Sequence, residues 1–384
     1  MRFLFIATGS QATVYGAAPL AAAVQNAGHE ILMAGNDPLM RFAEAIEVPA
    51  VSVMPEPIRH FMKNGDSGNA PSPFRDLREE ESLIFGRAFA RMAAAGLDAL
   101  LDLVEAWPPD LVVGGSMSYA AGLLASRLKV PYVRHAEYLQ IPMAEIDPIA
   151  EEGLRPDLER LGLAALPDPD LFIDVSPPSL RPAGAPDAQP MRWIPRNPQR
   201  RLQPWMYTRP EGRPRVLITS GTHFRMLPAD SMRRLVDRLT RTGAEVLIAA
   251  PEKAAEELGG DLGDVRVGWI PLDVVAPTCD LMVHHAGAAT AMTVMTAGVP
   301  QLIVPPNFHT KAIAQALTDF GAALTVPPER EGSDQDLVEA MAAGCREILS
   351  APGYAQRARA LAEEIASLPT PAEVVRTLET LAAP

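Results

Sequence analysis

The sequence predicts an α/β protein of two similar domains, each a parallel sheet with helices on both faces. Three observations carry this. Short apolar runs such as Phe3–Ala7 and Leu281–Val283 have the length and continuity of strands buried on both faces. Helix-length segments that end at Gly or Pro alternate with those runs. Four stretches also recur in the same order in both halves. Arg215–Thr222 echoes the first strand and its turn, and Thr242–Ala249 echoes Ala27–Ala34. Asp280–Val283 echoes Asp110–Val113, and Gly298-Val299-Pro300 echoes Lys129-Val130-Pro131.

In chain order, Phe3 to Ala7 is the first strand, Thr8-Gly9-Ser10 its turn, and Val14 to Asn26 an Ala-rich helix. Gly28 caps that helix and Glu30 to Ala34 is the next strand. A short helix and the strand Ala50 to Val53 follow, then a Gly-, Pro- and Ser-rich loop over 63–76. A helical region over 77–106 stops at Pro108-Pro109. Asp110 to Val113 is a buried strand leading into a Gly114-Gly115-Ser116 turn, with a helix to Leu128 and a strand from Pro131 to Arg134. Residues 181–214 are rich in Pro and Arg, which disfavours helix or central strand. The expected division is an N-terminal domain over 1–200, a linker over 201–214, a C-terminal domain over 215–365, and a terminal helix over 366–384 that packs back on the first domain.

Composition narrows the function. The 384 residues carry a formal net charge of −13, which speaks against nucleic-acid binding. No basic amphipathic stretch suits an anionic membrane, and His, Gly and Pro interrupt the apolar region Leu281–Val304. The apolar run near the N-terminus is too short for a signal peptide. Two cysteines, Cys279 and Cys345, give no disulfide framework, so a reducing cytoplasm is expected.

The chemical stretch is Leu281 to Thr310, which contains no Asp, Glu, Lys or Arg. A strand leads to a turn with His284, His285 and Gly287, then a dry helix over Ala288–Ala297 that stops at Gly298 and Pro300. The first N–H groups of that helix are unpaired and carry partial positive charge. Small Gly287, Ala288 and Ala289 admit an anion to the backbone, and Thr290 and His285 add donors. That combination suits a phosphate or pyrophosphate.

These residues resemble a known family. His284-His285-Ala286-Gly287-Ala288-Ala289-Thr290 is similar to the donor motif of the actinomycete antibiotic glycosyltransferases, nucleotide-sugar transferases with the GT-B fold. Val267-Gly268-Trp269-Ile270-Pro271-Leu272, Pro277-Thr278-Cys279-Asp280, the stretch 170–182 and the stretch 191–206 resemble neighbouring family segments. The N-terminal 14 residues, Pro57–Met62, Gly114–Ala121 and Leu202–Arg209 resemble the aromatic-polyketide C-glycosyltransferases of the urdamycin and tetracycline type.

The resemblance implies an inverting, metal-independent transfer of a deoxysugar from a dTDP-sugar to an aromatic polyketide, with no cofactor. His285, Gly287, Ala288 and Thr290 would hold the diphosphate, closed over by Ser220, Gly221 and Thr222. Trp269 would lie against the base, with the Ile270 backbone reading its edge. Two departures stand out. Most members carry a His where Thr13 stands, so the usual acceptor-activating base is missing. Many carry Asp-Gln where His309-Thr310 falls, and losing that carboxylate favours a sugar with fewer hydroxyls.

A phenol is acidic enough for a carboxylate base. Glu137, in the loop after the strand starting at Pro131, is the favoured candidate; His135, Tyr138, Asp147 and His60 are alternatives. Ser10 and Thr13 are expected to position the phenol. His60, Phe61, Met62, Met117, Tyr119, His135 and Tyr138 are expected to line the acceptor pocket. Asp168-Pro169-Asp170 resembles a metal-binding motif but precedes its strand and sits among prolines, so no metal is expected there. A homodimer is allowed. The competing readings are an O-glycosyltransferase of the same family and a non-catalytic sugar-nucleotide-binding partner. A nicotinamide enzyme is disfavoured, because no G-x-G-x-x-G follows either first strand.

Overall fold

The computed structural model describes residues 1–62, 78–139, 143–197, 201–209, 211–220, 226–258, 262–328 and 333–383. The loop expected over 63–76 and the phosphate-closing Gly221 and Thr222 lie outside them. The first half runs β1 (Arg2–Ile6), α1 (Gln11–Asn26), β2 (Glu30–Asn36), α2 (Met40–Glu44), β3 (Ala50–Met54), α3 (Ile58–Phe61) and α4 (Arg78–Ala106). It continues β4 (Leu111–Gly115), α5 (Ala120–Leu128), β5 (Tyr132–Ala136), α6 (Met143–Gly153), α7 (Arg155–Leu161), β6 (Leu171–Asp174) and β7 (Gln189–Pro190). After α8 (Pro204–Tyr207) come β8 (Arg215–Thr219), α9 (Ala229–Thr240), β9 (Glu245–Ala249), α10 (Glu252–Leu258), β10 (Arg266–Gly268) and α11 (Leu272–Val275). Then follow β11 (Leu281–His284), α12 (Ala288–Thr296), β12 (Gln301–Ile303), α13 (Phe308–Phe320), β13 (Ala323–Thr325), α14 (Asp334–Ser350), α15 (Pro352–Ser367) and α16 (Pro371–Leu381).

Both sheets are parallel, ordered β3-β2-β1-β4-β5-β6-β7 and β10-β9-β8-β11-β12-β13. Each chain half winds outward from its first strand and then returns to that strand's other side. The resulting switch points, β1/β4 and β8/β11, are where parallel α/β sheets open a crevice. The central strands are buried on both faces: Phe3, Leu4 and Phe5, and likewise Val216, Leu217 and Ile218, are at most 1% exposed.

The internal echoes are structural equivalences. Asp110 accepts the Arg2 amide at 2.7 Å, and Asp280 accepts the Arg215 amide at 2.8 Å, each tying an outgoing strand to the strand returning beside it. Gly28 and Gly243 take the left-handed conformation at φ 88° and 86° before the second strand of each half. Lys129 and Gly298 do so at φ 58° and 68°, ending α5 and α12. Asp170 accepts the Tyr132 amide at 2.8 Å in the same manner, which gives this residue of the Asp-Pro-Asp stretch a structural task.

Several boundaries differ from expectation. Gln189–Pro190 forms β7 within the stretch read as non-strand, because an edge strand tolerates a residue without an N–H. Gly114 and Gly115 belong to β4 rather than to a turn, paired with Arg134 and His135. The linker is strapped to the second domain. The buried Arg215 guanidinium donates to the Trp205 and Thr208 carbonyls, to Thr278 Oγ1 and to Glu245. At the C-terminus α16 lies on α1, with His29 Nε2 2.8 Å from Glu379, and Arg192 N–H donates to the Pro369 carbonyl at 2.7 Å. One apolar cluster joins Leu20 and Val24 of α1, Met292 and Met295 of α12, and Val374 and Leu378 of α16. Among the described residues no helix is long and apolar enough to cross a membrane.

Asp280→Ala removes the acceptor of the Arg215 amide and is expected to cost about 1–2 kcal/mol, read as a lower urea midpoint with an unchanged slope.

Candidate active site

The β1/β4 switch point builds one wall of an apolar chamber. Ser10 caps α1, accepting from Ala12 N at 3.2 Å, and Thr13 Oγ1 donates to the Ser10 carbonyl at 2.7 Å. The loop beneath them is held by buried Asn36, whose Oδ1 accepts the Gly9 amide at 2.9 Å. Ser10 and Thr13 face Phe85 and Phe89 of α4, Met117 after β4, Tyr138 after β5, and Glu145 and Ile146 of α6. The second domain closes the chamber with Phe308 and His309 at the start of α13. Glu81 of α4 reaches across to accept the Phe308 amide, at 3.1 and 3.2 Å from its two oxygens.

Of the residues expected at the acceptor or as its base, Ser10, Thr13, Met117 and Tyr138 line this chamber, and so does His309 from the donor set. The placement of the others is corrected. Tyr119 turns into the first domain, where its hydroxyl donates to Asp147 at 2.9 Å and burial raises its pKa. Asp147, an alternative base, is held by both Arg134 amino nitrogens at 2.9 and 2.8 Å. Phe61 is buried with α4, Met62 packs beside it, and exposed His60 stacks edge-on with Phe61. His135 is 1% exposed on the Val133 face of β5, with neither ring nitrogen partnered among the described residues. Burial lowers its pKa to about 4.

Glu137 also lies outside the chamber lining. It is 2% exposed and fits between α1 and β4 because Gly16 and Gly115 lack a Cβ that would overlap it. Its carboxylate accepts the Ser116 amide at 3.4 Å, and its carbonyl accepts Trp193 Nε1 at 2.8 Å. Burial pushes its pKa up to about 7 against the lowering effect of hydrogen bonds from the Glu137 and Ser116 amides and of Arg134. The sequence reading missed Glu81, Phe85, Phe89 and Glu145. The signal was present for the first three, since i, i+4, i+8 spacing puts them on one helix face.

The residues expected to hold the donor lie after the C-terminal ends of the second sheet's strands: Ser220 after β8, Trp269 and Ile270 after β10, His285 and Gly287 after β11, and His309 after β12. His284, expected in the turn, is the last residue of β11 and is fully buried. The next two residues reverse the chain. Ala286 adopts φ 61°, which costs an L-residue about 1 kcal/mol, and its amide donates to His284 Nδ1 at 3.0 Å. Gly287 is the N-cap of α12, which has no side-chain cap among the described residues, so none of these side chains competes with a ligand for its first amides. The His285 ring folds over Gly287, where a Cβ would stand 2.8 Å from Nε2. His285, Gly287, Ala288 and Thr290 are half-buried, as are Ser220 and Trp269, whereas Ile270 is buried. The dryness of α12 survives its threonines because Thr293 and Thr296 donate back to the carbonyls of Ala289 and Met292, at 2.7 and 2.8 Å. Burial lowers the pKa of His309 to about 4, which keeps it neutral.

This architecture matches known proteins along its length. Residues 22–221 match the N-terminal domain, and residues 233–381 the C-terminal domain, of the family described as Erythromycin biosynthesis protein CIII-like. The chain is 34% identical to the L-demethylnoviosyl transferase of Streptomyces niveus, over 98% of its own length and 97% of that protein. It is 30% identical to the TDP-daunosamine transferase DnrS of Streptomyces peucetius, covering 100% of this chain and 97% of that one. Among solved structures, the Streptomyces sp. SF2575 glycosyltransferase SsfS6 with thymidine diphosphate superposes with a TM-score of 0.84 at 30% identity, covering 99% of each chain. The spinosyn rhamnosyltransferase SpnG with spinosyn aglycone gives 0.84 at 28% identity, covering 99% of this chain and 100% of that one. The fold of two facing Rossmann-like domains is GT-B.

The buried Glu137 has a stability signature. Its folded pKa lies above the unfolded value, so its contribution is complete below about pH 4.5 and is lost as pH rises through about 7. Glu137→Gln removes that loss and is expected to raise stability at pH 8 by about 3 kcal/mol while leaving it unchanged near pH 4, read from melting temperatures at the two pH values.

Proposed function

The chain belongs to the Erythromycin biosynthesis protein CIII-like family of antibiotic glycosyltransferases, and from that membership we propose that it moves a deoxysugar from a dTDP-sugar to a phenolic ring of an aromatic polyketide, forming a carbon–carbon bond. The observation that carries this reading is the apolar chamber between the two domains, walled by Phe85, Phe89, Met117 and Tyr138 and closed by His309 from the second domain. An aromatic ring in that chamber faces the half holding the donor.

In this reading the diphosphate lies on the α12 amides with His285 and Thr290, with Ser220 closing over it. Trp269 and Ile270 hold the base. These donors stabilise the charge that develops on the leaving diphosphate without a metal ion. Glu145 is the proposed base, because it is a chamber carboxylate on the first domain. It takes the phenol proton, and the electron pair moves to the ortho ring carbon. That carbon attacks the anomeric carbon from the face opposite the diphosphate, whose C–O bond breaks. The ring C–H proton then leaves to solvent and the phenol oxygen takes its proton back from Glu145, which restores aromaticity and regenerates the base. Ser10 and Thr13 orient the phenol oxygen.

One observation favours a second base. Glu137 has a pKa of about 7, suited to proton transfer at neutral pH, though its buried carboxylate needs the segment after β4 to move aside.

Three measurements test the proposal. Incubation with a dTDP-deoxysugar and a hydroxylated polyketide is expected to give a product whose sugar survives acid hydrolysis; an acid-labile product means an O-glycoside instead. By calorimetry, His285→Ala is expected to weaken dTDP binding about tenfold or more, with Glu145→Gln and Glu137→Gln near wild type. Turnover of Glu145→Gln should fall about a hundredfold while Glu137→Gln stays active; the reverse pattern moves the base to Glu137.

A further inference from the structure

His284 follows strand parity into the sheet interior on the Met282 face, together with Gln301, the register partner of Met282 on β12. His284 Nε2 lies 2.9 Å from Gln301 Oε1, while Nδ1 accepts the Ala286 amide. An amide N–H can only donate, so Nδ1 must be bare. The neutral ring therefore carries its proton on Nε2 and donates it to the Gln301 carbonyl oxygen. This orientation leaves Gln301 Nε2 buried without a partner among the described residues. The pair keeps that cost and holds Ala286 left-handed from one side, while the Ala286 methyl is packed in the shared apolar cluster from the other.

We propose that His284 and Gln301 are a positioning pair for the donor diphosphate: Gln301 selects the Nε2–H tautomer, and bare Nδ1 holds the Ala286 amide so that His285 and the first α12 amides converge on one point. The proposal rests on reading this turn as the diphosphate site. Neither side chain touches the ligand; both act through the backbone at Ala286 and Gly287. Burial lowers the His284 pKa to about 3, so the bare Nδ1 persists across the working range. The charge that reaches His284 is that of His285, next along the chain, and it too opposes protonation of His284.

The test compares dTDP affinity in three variants, each checked for a cooperative melt. His284→Asn keeps an acceptor oxygen near the Nδ1 position and is expected to bind dTDP nearly as wild type does. His284→Leu has a similar bulk but no acceptor and is expected to weaken binding about tenfold. Gln301→Glu sets a carboxylate against Nε2–H and favours the doubly protonated ring, which cannot accept the Ala286 amide. Its affinity is expected to fall about tenfold relative to wild type between about pH 8.5 and about pH 6, a pH signature that loss of packing alone would not produce. Binding by His284→Leu at wild-type strength, no recovery in His284→Asn, or a Gln301→Glu profile parallel to wild type would each overturn the pair. If His284→Leu does not fold, the other two variants decide. Wild type that fails to bind dTDP would instead overturn the donor-site reading on which the pair depends.

Discussion

The hydrogen bond from the Ala286 amide to the His284 ring fixes the turn on which the proposed donor site depends. A strand arriving at the sheet's carboxyl edge must turn into a helix within three residues and leave that helix's first amides unobstructed. A left-handed residue is the tightest way to do this, and here the residue is an alanine. Its methyl is buried in the cluster shared with α1, so the turn is locked to the domain junction as well as to its own strand. The same α1 carries Ser10 and Thr13 at the acceptor wall and Gly16 beneath Glu137. The turn before α12 and the chamber wall are thus set by one continuous packing arrangement.

The two halves solve one folding problem in one way and then diverge where chemistry is done. Asp110 and Asp280, Gly28 and Gly243, and Lys129 and Gly298 have the same backbone tasks in their respective sheets. These positions lie away from the cleft. At the carboxyl edges the likeness ends. The first half presents aromatic and Met side chains from α4 and from the loops after β4 and β5. The second presents small residues, His285 and open amides. The division suits what the proposed reaction asks of each half: carbon surfaces for a flat apolar ring, and N–H donors for an anionic leaving group.

What the sequence made legible was what short-range pattern encodes. Continuous apolar runs marked the strands, Gly and Pro marked their ends, and the repeated order of both exposed the duplicated architecture. The turn before α12 was legible because its signal is local, a His-His-Ala-Gly run before a helix. The chamber was only partly so. Met117 and Tyr138 follow strands and reach it, but Tyr119 and His135 are directed elsewhere by helix face and strand parity, which residue type does not reveal. Glu137 lies inward because two glycines distant in sequence, Gly16 and Gly115, leave room for it. That is a three-body condition invisible to a linear reading. Edge strand β7 escaped because its Pro190 reads as a strand breaker until its edge position is known.

The most direct measurement is a crystal structure of the protein with bound dTDP. The account predicts both phosphorus groups within hydrogen-bonding reach of the amides at the start of α12, beside His285 and Thr290, with the thymine near Trp269. Phosphates found away from Gly287, for example at the start of α13 where Glu81 docks, would contradict it.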